Sequence, residues 1–463
     1  MRRISVLLAA LVLSLAFTLA SSEPSADPRL KKASRAPDRN GWIQVHLEGS
    51  PGEIGFQHGY LLASEIQDNF KDISTEMQHD ERRDWSFFRG AAREIFWPHI
   101  EQEYRDELAG IIAGLKARNV PLDLWDIVAL NAWLELPYYD RTLEPQGDSA
   151  TPTADHCSAF VATGSYTRDG RIVIGHNSWT SYASGERWNV IFDIVPARGQ
   201  HILMDGMPGL IHSGDDFGIN ASGLVITETT ISGFRGFDPR GVPEFVRARK
   251  AMQYAGTIDD FARIIEDGNN GGYANTWLLA DSRTNEIASL ELGLKNVTLE
   301  RTRDGYFVGS NFPSNPKLVQ EETDFDPTNR ERGENARHER WLALMAEYKG
   351  KIDVAAGQRF LADHVDASNG LTQPSERTLC GHVDLSPRGM GAWQNPFAPA
   401  GTVQNKVTDA AGAQKMSLVA AMGHACGLDF KASYHLAMHP RFIWYSPILR
   451  DMPSREWTWF GAR

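Results

Sequence analysis

The chain has 463 residues, of which 42% are hydrophobic and 23% charged, the proportions of a globular protein able to bury a sizeable core, which excludes bulk disorder. A formal net charge of -12 and a sequence pI near 5.6 argue against a nucleic-acid backbone or an anionic membrane surface as a partner. There is no Walker loop, G-x-G-x-x-G, G-x-S-x-G elbow or H-E-x-x-H, so nucleotide enzymes, serine α/β-hydrolases and zincins recede.

In chain order, Met1-Arg2-Arg3, the apolar run 6–20 and small residues at 18–20 or 20–22 predict a signal peptide over 1–22. The run falls short of the about 20 apolar residues that a span requires, so a retained anchor is the weaker reading and no membrane insertion is expected after cleavage. Residues 23–40 are a polar, flexible leader. Residues 42–47 alternate like a strand, and Ser50-Pro51-Gly52-Glu53 opens a helix in which Ile54, Leu61, Leu62 and Ile66 recur at helical spacing. Helical patterns over 94–115 and 122–136 make 41–156 a mainly helical N-terminal segment. Its end, 139–155, carries Pro145, Gly147 and Pro152 and is predicted to be an exposed, cuttable connection.

Short β patterns follow over 160–163, 171–175, 188–195, 200–204, 223–230, 276–280, 287–292 and 306–309. Helices are expected over 242–254, 257–267 and within 330–363, whereas 392–460 is rich in Trp and Pro and reads as irregular. Strands in this number with helices inserted predict two stacked sheets covered by helices, an α+β fold.

There are three cysteines, Cys157, Cys380 and Cys426. In an exported chain an odd count leaves one thiol over, so Cys380 and Cys426 are a candidate disulfide and Cys157 a free thiol; two buried small hydrophobes are the alternative. Ala154-Asp155-His156-Cys157-Ser158 places Cys157 at the head of a strand. A turn at Arg168-Asp169-Gly170 and the run ending His176-Asn177-Ser178-Trp179 complete a hairpin that returns polar residues beside the thiol. A nucleophile at the first residue of a strand is the arrangement of N-terminal-nucleophile hydrolases, in which the chain cuts itself before the nucleophile and the freed amine becomes its base. A thiol of reference pKa about 8.5 beside an α-amine of about 7.7–8.0 suits that transfer. An inert buried cysteine is the competing reading. His424, His435 and His439 lack thiolates or carboxylates in ligand spacing, which argues against a zinc site there.

The set Cys157-Ser158-Ala159-Phe160, His176-Asn177-Ser178-Trp179, Asp215-Asp216-Phe217, Ser222-Gly223-Leu224-Val225, Glu228-Thr229-Thr230 and Gly272-Tyr273-Ala274-Asn275-Thr276-Trp277 resembles, in order and rough spacing, the phospholipase B-like family. Asn405-Lys406-Val407-Thr408 extends the resemblance more loosely. Leu47-Glu48-Gly49-Ser50-Pro51 and Gly55-Phe56-Gln57-His58-Gly59 are similar to the autoprocessed acyltransferases that mature penicillins. Both groups belong to the N-terminal-nucleophile superfamily, which implies a four-layer αββα sandwich, cleavage between His156 and Cys157, and a catalytic chain 157–463 that keeps the released 41–156 segment associated.

The resemblance also implies Asn275 as an oxyanion donor, with a turn asparagine as the alternative. His176 and Asn177 would orient a substrate carbonyl or bond the nucleophile, or else form a structural pair at a strand end. Bile-salt and penicillin amidases usually carry Arg and then Asp where this chain has His176 and Trp179, so their roles are not carried over. Trp179, Asp216, Thr229, Thr230 and Arg247 are pocket candidates; a charged turn, a polar strand edge and, for Arg247, a salt-bridged helix face compete. Asn220-Ala221-Ser222 and Asn296-Val297-Thr298 fit the glycosylation pattern.

The expected protein is an exported, self-processed cysteine hydrolase acting on an ester or amide acyl bond of a small acylated or lipid-like substrate. It would need no metal or organic cofactor and no nucleic acid, and would be secreted or periplasmic, or lysosomal in a eukaryote. A penicillin-type amidase or acyltransferase, and an inactive secreted binding protein on the same scaffold, remain as alternatives.

Overall fold

A computed structural model describes residues 27–143, 156–214, 216–389 and 395–463. The expected signal, the start of the leader, most of the cuttable connection and Asp215 lie outside these residues.

Among the described residues fifteen strands run in chain order: β1 (Ser34–Arg35), β2 (Ile43–Gly49), β3 (His156–Thr163), β4 (Val173–Ser181), β5 (Val190–Pro196), β6 (Ile202–Gly206), β7 (Phe217–Asn220), β8 (Leu224–Thr230), β9 (Asn275–Asp281), β10 (Glu286–Leu292), β11 (Val297–Thr302), β12 (Gly305–Gly309), β13 (Ala400–Asp409), β14 (Ser417–Met422) and β15 (Thr458–Gly461). They form a nine-stranded sheet, β1-β2-β5-β6-β7-β8-β9-β10-β11, and a six-stranded sheet, β12-β3-β4-β13-β14-β15.

Period-two alternation sorts the side chains into layers. Ala159, Val161 and Ile174 of the small sheet meet Ile191, Leu203, Phe217, Ile219, Val225 and Leu278 of the large one, forming a core between the sheets. The opposite face of the large sheet, including Val45, Leu47, Val190 and Phe192, packs on helices drawn from Pro51–Asn131 and Glu244–Glu266. Phe160, Ala162, Val173 and Val407 on the far face of the small sheet pack on the helices Gly333–Glu347 and Val354–Leu361. The order is helix, sheet, sheet, helix, the expected αββα sandwich.

The N-terminal segment is built into this sandwich. β2 pairs in parallel with β5, from Ile43↔Val190 to Gly49↔Pro196. The helix Pro51–Leu61 starts from a Ser50/Glu53 capping box. It presents Gly55 and Gly59 to the helix Gln102–Ala117 so closely that an added Cβ would stand 1.9 Å from the Glu107 carbonyl oxygen and 2.1 Å from that of Ile111. A scission before Cys157 would therefore leave the two parts joined through the β2–β5 pairing and the buried Arg249–Glu107 ion pair.

Three expectations need correction. The stretch 392–460 is not irregular, since β13, β14 and β15 lie within it or overlap its end and make half of the small sheet. β13 hides there because it is buried on both faces while carrying Gln404, Asn405 and Lys406, which erases an alternating apolar signal. Cys380 and Cys426 are not bonded to each other but are free thiols. Neither glycosylation pattern offers a free amide: Asn220 donates to the carbonyls of Met252 and Ala255, and Asn296 to Glu321 and Glu322.

Candidate active site

β3 and β4 form the expected hairpin, with Cys157 opposite Ser178, Ser158 opposite Asn177 and Ala159 opposite His176. On the other side of β4, His176 faces Lys406 and Ser178 faces Gln404 of β13. Alternation turns Cys157, His176, Ser178, Gln404 and Lys406 to one side of the small sheet and Ser158, Asn177 and Asn405 to the other. One donor atom each of Cys157, His176, Asp216 and Glu228 all lie within 4.8 Å of one another, and all four residues are buried. The hairpin thus brings the thiol and the imidazole together, and the turn before β7 and strand β8 of the large sheet add the two carboxyl groups at the same point between the sheets.

A buried cation organises this point. Lys406 Nζ donates to Ser178 Oγ at 2.8 Å, Asp205 Oδ2 at 3.1 Å, Gln404 Oε1 at 3.2 Å and Asp216 Oδ2 at 3.4 Å. The Ser178 hydroxyl also donates to Asp216. Burial pushes the Asp205 carboxyl up to about 7 although Lys406 opposes the shift, and raises Asp216 in the same way. His176 Nε2 stands 3.8 Å from Asp216 Oδ1. Burial, reinforced by the Lys406 charge, drives the His176 pKa well below its ordinary value, so the ring is a neutral imidazole at pH 7. The Lys406 ammonium beside Asp216 also makes the four-residue group a poor divalent-cation site, because the carboxylate charge is already compensated.

Two residues that sequence reasoning missed hold the backbone of the candidate nucleophile. Asn311 Oδ1 accepts the Cys157 N–H at 3.0 Å, and Asn311 Nδ2 donates to the Thr230 carbonyl at 2.9 Å. Asn311 follows β12 in the left-handed region, with φ 64°, a conformation asparagine tolerates better than most residues. Arg337, on the helix Gly333–Glu347, donates to the Cys157 carbonyl at 2.5 Å, to Ser158 Oγ at 3.1 Å and to Asn311 Oδ1 at 2.9 Å. It lies 4.5 Å from the Trp179 ring centroid, and complete burial lowers its pKa to about 10. The signal for it was present: Arg337, Trp341 and Leu344 recur at helical spacing on one buried stripe.

Asn275 begins β9 opposite Thr230, so the Asn311 side chain links the Cys157 amide to the end of β8 that pairs with Asn275. Both atoms of the buried Asn275 amide, and the hydroxyls of Thr229 and Thr230, lack a hydrogen-bond partner, as groups awaiting a ligand or water would.

Asn177 belongs to the opposite face. Its Oδ1 accepts Ser158 N–H and Trp179 Nε1–H, each at 3.1 Å, and its Nδ2 donates to the Leu379 carbonyl at 2.7 Å. It is a strand tie, and Trp179 packs with it and with Arg337. Arg247 is also spent on structure, donating to the carbonyls of Val242 and Ile265 and to Asn270 Oδ1. The three histidines read as a weak zinc set separate: the His435 and His439 rings lie 4.8 Å apart, tilted to each other, whereas His424 stacks on His382.

The chain belongs to the phospholipase B family, whose sequence profile matches residues 55–454. The likeness to curated relatives is distant: 25% identity over 315 residues to phospholipase B-like 1 of Bos taurus, covering 57% of this chain and 56% of that one. A putative phospholipase B-like 2 of Bos taurus is 32% identical over 141 residues, covering 27% and 24% of the respective chains, and an uncharacterized protein of Archaeoglobus fulgidus is 25% identical over 264 residues, covering 53% and 42%. Alignments thus span about half or less of each of these relatives. Among solved structures, a mutant of the conjugated bile acid hydrolase of Clostridium perfringens aligns at TM-score 0.32 and 11% identity, over 57% of this chain and 88% of that one.

Proposed function

We propose that the protein is an exported, self-processed hydrolase that cleaves an ester or amide acyl bond with Cys157 as nucleophile. The observation that carries this reading is the convergence on Cys157, at the head of β3, of a neutral His176 ring, two carboxyl groups and a backbone clamp made by Asn311 and Arg337.

In self-processing, Sγ attacks the His156 carbonyl carbon, the peptide nitrogen departs as the α-amine of Cys157, and water hydrolyses the resulting thioester. In turnover, the α-amine takes the thiol proton as Sγ attacks the substrate acyl carbon, and passes it to the departing alcohol or amine. Water then adds to the thioester, giving up its proton through the same amine, and the acid leaves. The Asn275 amide would donate to the oxyanion in both tetrahedral steps, and His176 would orient the incoming carbonyl or water. Asp205, Asp216 and Lys406 hold the floor of the site rather than touch the reacting atoms.

The family relationship supports a lipid-like acyl substrate, and the names of the relatives point to phospholipids; amides suit the same apparatus. The signal-like N-terminus supports a secreted or periplasmic protein, lysosomal in a eukaryote, and among the described residues no helix is long and apolar enough to cross a membrane. The test is release of free acid from matched ester and amide acyl substrates by wild type and Cys157→Ala. Turnover confined to wild type supports the reading, and equal turnover by both contradicts it. Added primary amines that divert product from acid to amide would instead identify an acyltransferase.

A further inference from the structure

We propose that His364, Cys380, His382 and Cys426 form a tetrahedral zinc site on the outer side of the small sheet, away from Cys157. One donor atom of each of these residues lies within 4.8 Å of every other. His382 Nε2 is 3.7 Å from Cys380 Sγ and 3.5 Å from Cys426 Sγ. With Zn–S of about 2.3 Å and Zn–N of about 2.0–2.1 Å, the N-to-S edge of a tetrahedron is about 3.6 Å, so these separations already match a metal-filled site. A disulfide would instead require the two sulfurs at about 2.05 Å, and the two thiols are free.

The surroundings favour the metal as well. His364 Nε2 is buried with no hydrogen-bond partner, a cost that coordination removes. His382 Nδ1 stands 3.8 Å from Asp384 Oδ1, whose carboxylate accepts the Tyr182 hydroxyl at 2.6 Å; an imidazole backed by a carboxylate through its other nitrogen is a recurrent metal-ligand arrangement. The loop carrying two of the ligands is preset. Gly381 donates to Thr402 Oγ1 at 2.8 Å, its carbonyl accepts the Thr402 N–H at 2.9 Å, and an added Cβ there would stand 2.0 Å from Trp179.

The overlapping trio His382, Asp384 and His424 is less suited, because both nitrogens of His424 are engaged, with the Tyr182 hydroxyl at 3.0 Å and the Leu428 carbonyl at 2.8 Å. On binding, the two thiols release their protons to solvent. Two thiolates then neutralise the dication while the imidazoles stay neutral, which leaves no net charge in the buried site. Two nitrogens and two sulfurs in tetrahedral placement select zinc over hard, oxygen-loving cations. His364 and Cys426 are only half-buried and provide the way in. The ion would fasten the loop before β13 to the turn after β14.

The experiment is a Co2+ titration of the reduced, chelator-treated full chain, followed by absorption and then by Zn2+ displacement. The expected result is one Co2+ per chain with thiolate-to-cobalt charge-transfer bands, abolished in Cys380→Ser/Cys426→Ser and retained in Cys157→Ala. Cys426→Ser alone, at a half-buried position, should keep the fold by circular dichroism and lose about half of the charge-transfer intensity. His364→Ala should weaken binding by more than about 10-fold. Absence of these bands in wild type, their survival in the double variant, or a Cys380–Cys426 disulfide as the state of the protein isolated without reductant would each overturn the proposal.

Discussion

The side chain of Asn311 receives the Cys157 backbone N–H at 3.0 Å and reaches Thr230 with its other end at 2.9 Å. One side chain thus joins the small sheet, where the thiol lies, to the β8 end of the large sheet. Asn311→Ala removes both bonds and deprives Arg337 of an acceptor, and buried groups left unsatisfied cost about 1–3 kcal/mol. The expected outcome is slower generation of an N-terminus at Cys157, by on the order of 10-fold or more, read by N-terminal peptide counting over time. Processing at the wild-type rate would exclude a positioning role.

Asn275 is expected to act on the transition state and not on substrate affinity. Replacing it with Ala should lower kcat by about 10²–10³-fold and leave KM within about twofold in steady-state assays of processed protein. A rise in KM at unchanged kcat would make it a binding residue instead.

The Lys406 ammonium is shared by Asp205 and Asp216 in a fully buried cluster. Lys406→Met leaves both carboxyl groups without their cation, and breaking a buried pair this way costs about 3–5 kcal/mol. Urea unfolding should register that loss, and Lys406→Met/Asp216→Asn should recover part of it because one buried charge is gone. A single variant as stable as wild type would show that the cluster is not held by charge.

Glu135 provides a pH signature. Its carboxyl, fully buried, accepts the Phe245 N–H at 3.2 Å and Asn270 Nδ2–H at 2.5 Å, and burial with Glu244 nearby raises its pKa from 4.5 to about 7. In this window the folded chain holds a proton that the unfolded chain has lost. The contribution is therefore fully present below about pH 4.5 and lost as pH rises through about 7. Unfolding free energies of Glu135→Gln relative to wild type should shift in favour of the variant by up to about 3 kcal/mol between those limits. A difference independent of pH would contradict the raised pKa.

Much of the fold was legible because its strands alternate and its helices carry caps. The hairpin that positions Cys157 and His176 follows from a Gly turn and two polar-ended β runs, and the pairing of Cys157 with Ser178 bears that out. What escaped was long-range. Asn311 and Arg337 are remote from Cys157 in sequence and meet it only when β12 and the helix Gly333–Glu347 close over β3. β13 escaped because its buried face is polar, with Lys406 neutralised by carboxylates that no local pattern links to it. His364, Cys380, His382 and Cys426 also escaped as a group, because they are spread along the sequence and only the fold brings them to one place.

The central claim rests on Cys157 becoming an N-terminus, and intact mass of wild type and Cys157→Ala under denaturing, reducing conditions tests it most directly. The account predicts two fragments in wild type, the larger about two-thirds of the 51.5 kDa chain and beginning at Cys157, and one uncut chain in the variant. A single intact wild-type chain after maturation at acidic and neutral pH would contradict it, since the amine base of the mechanism would then not exist.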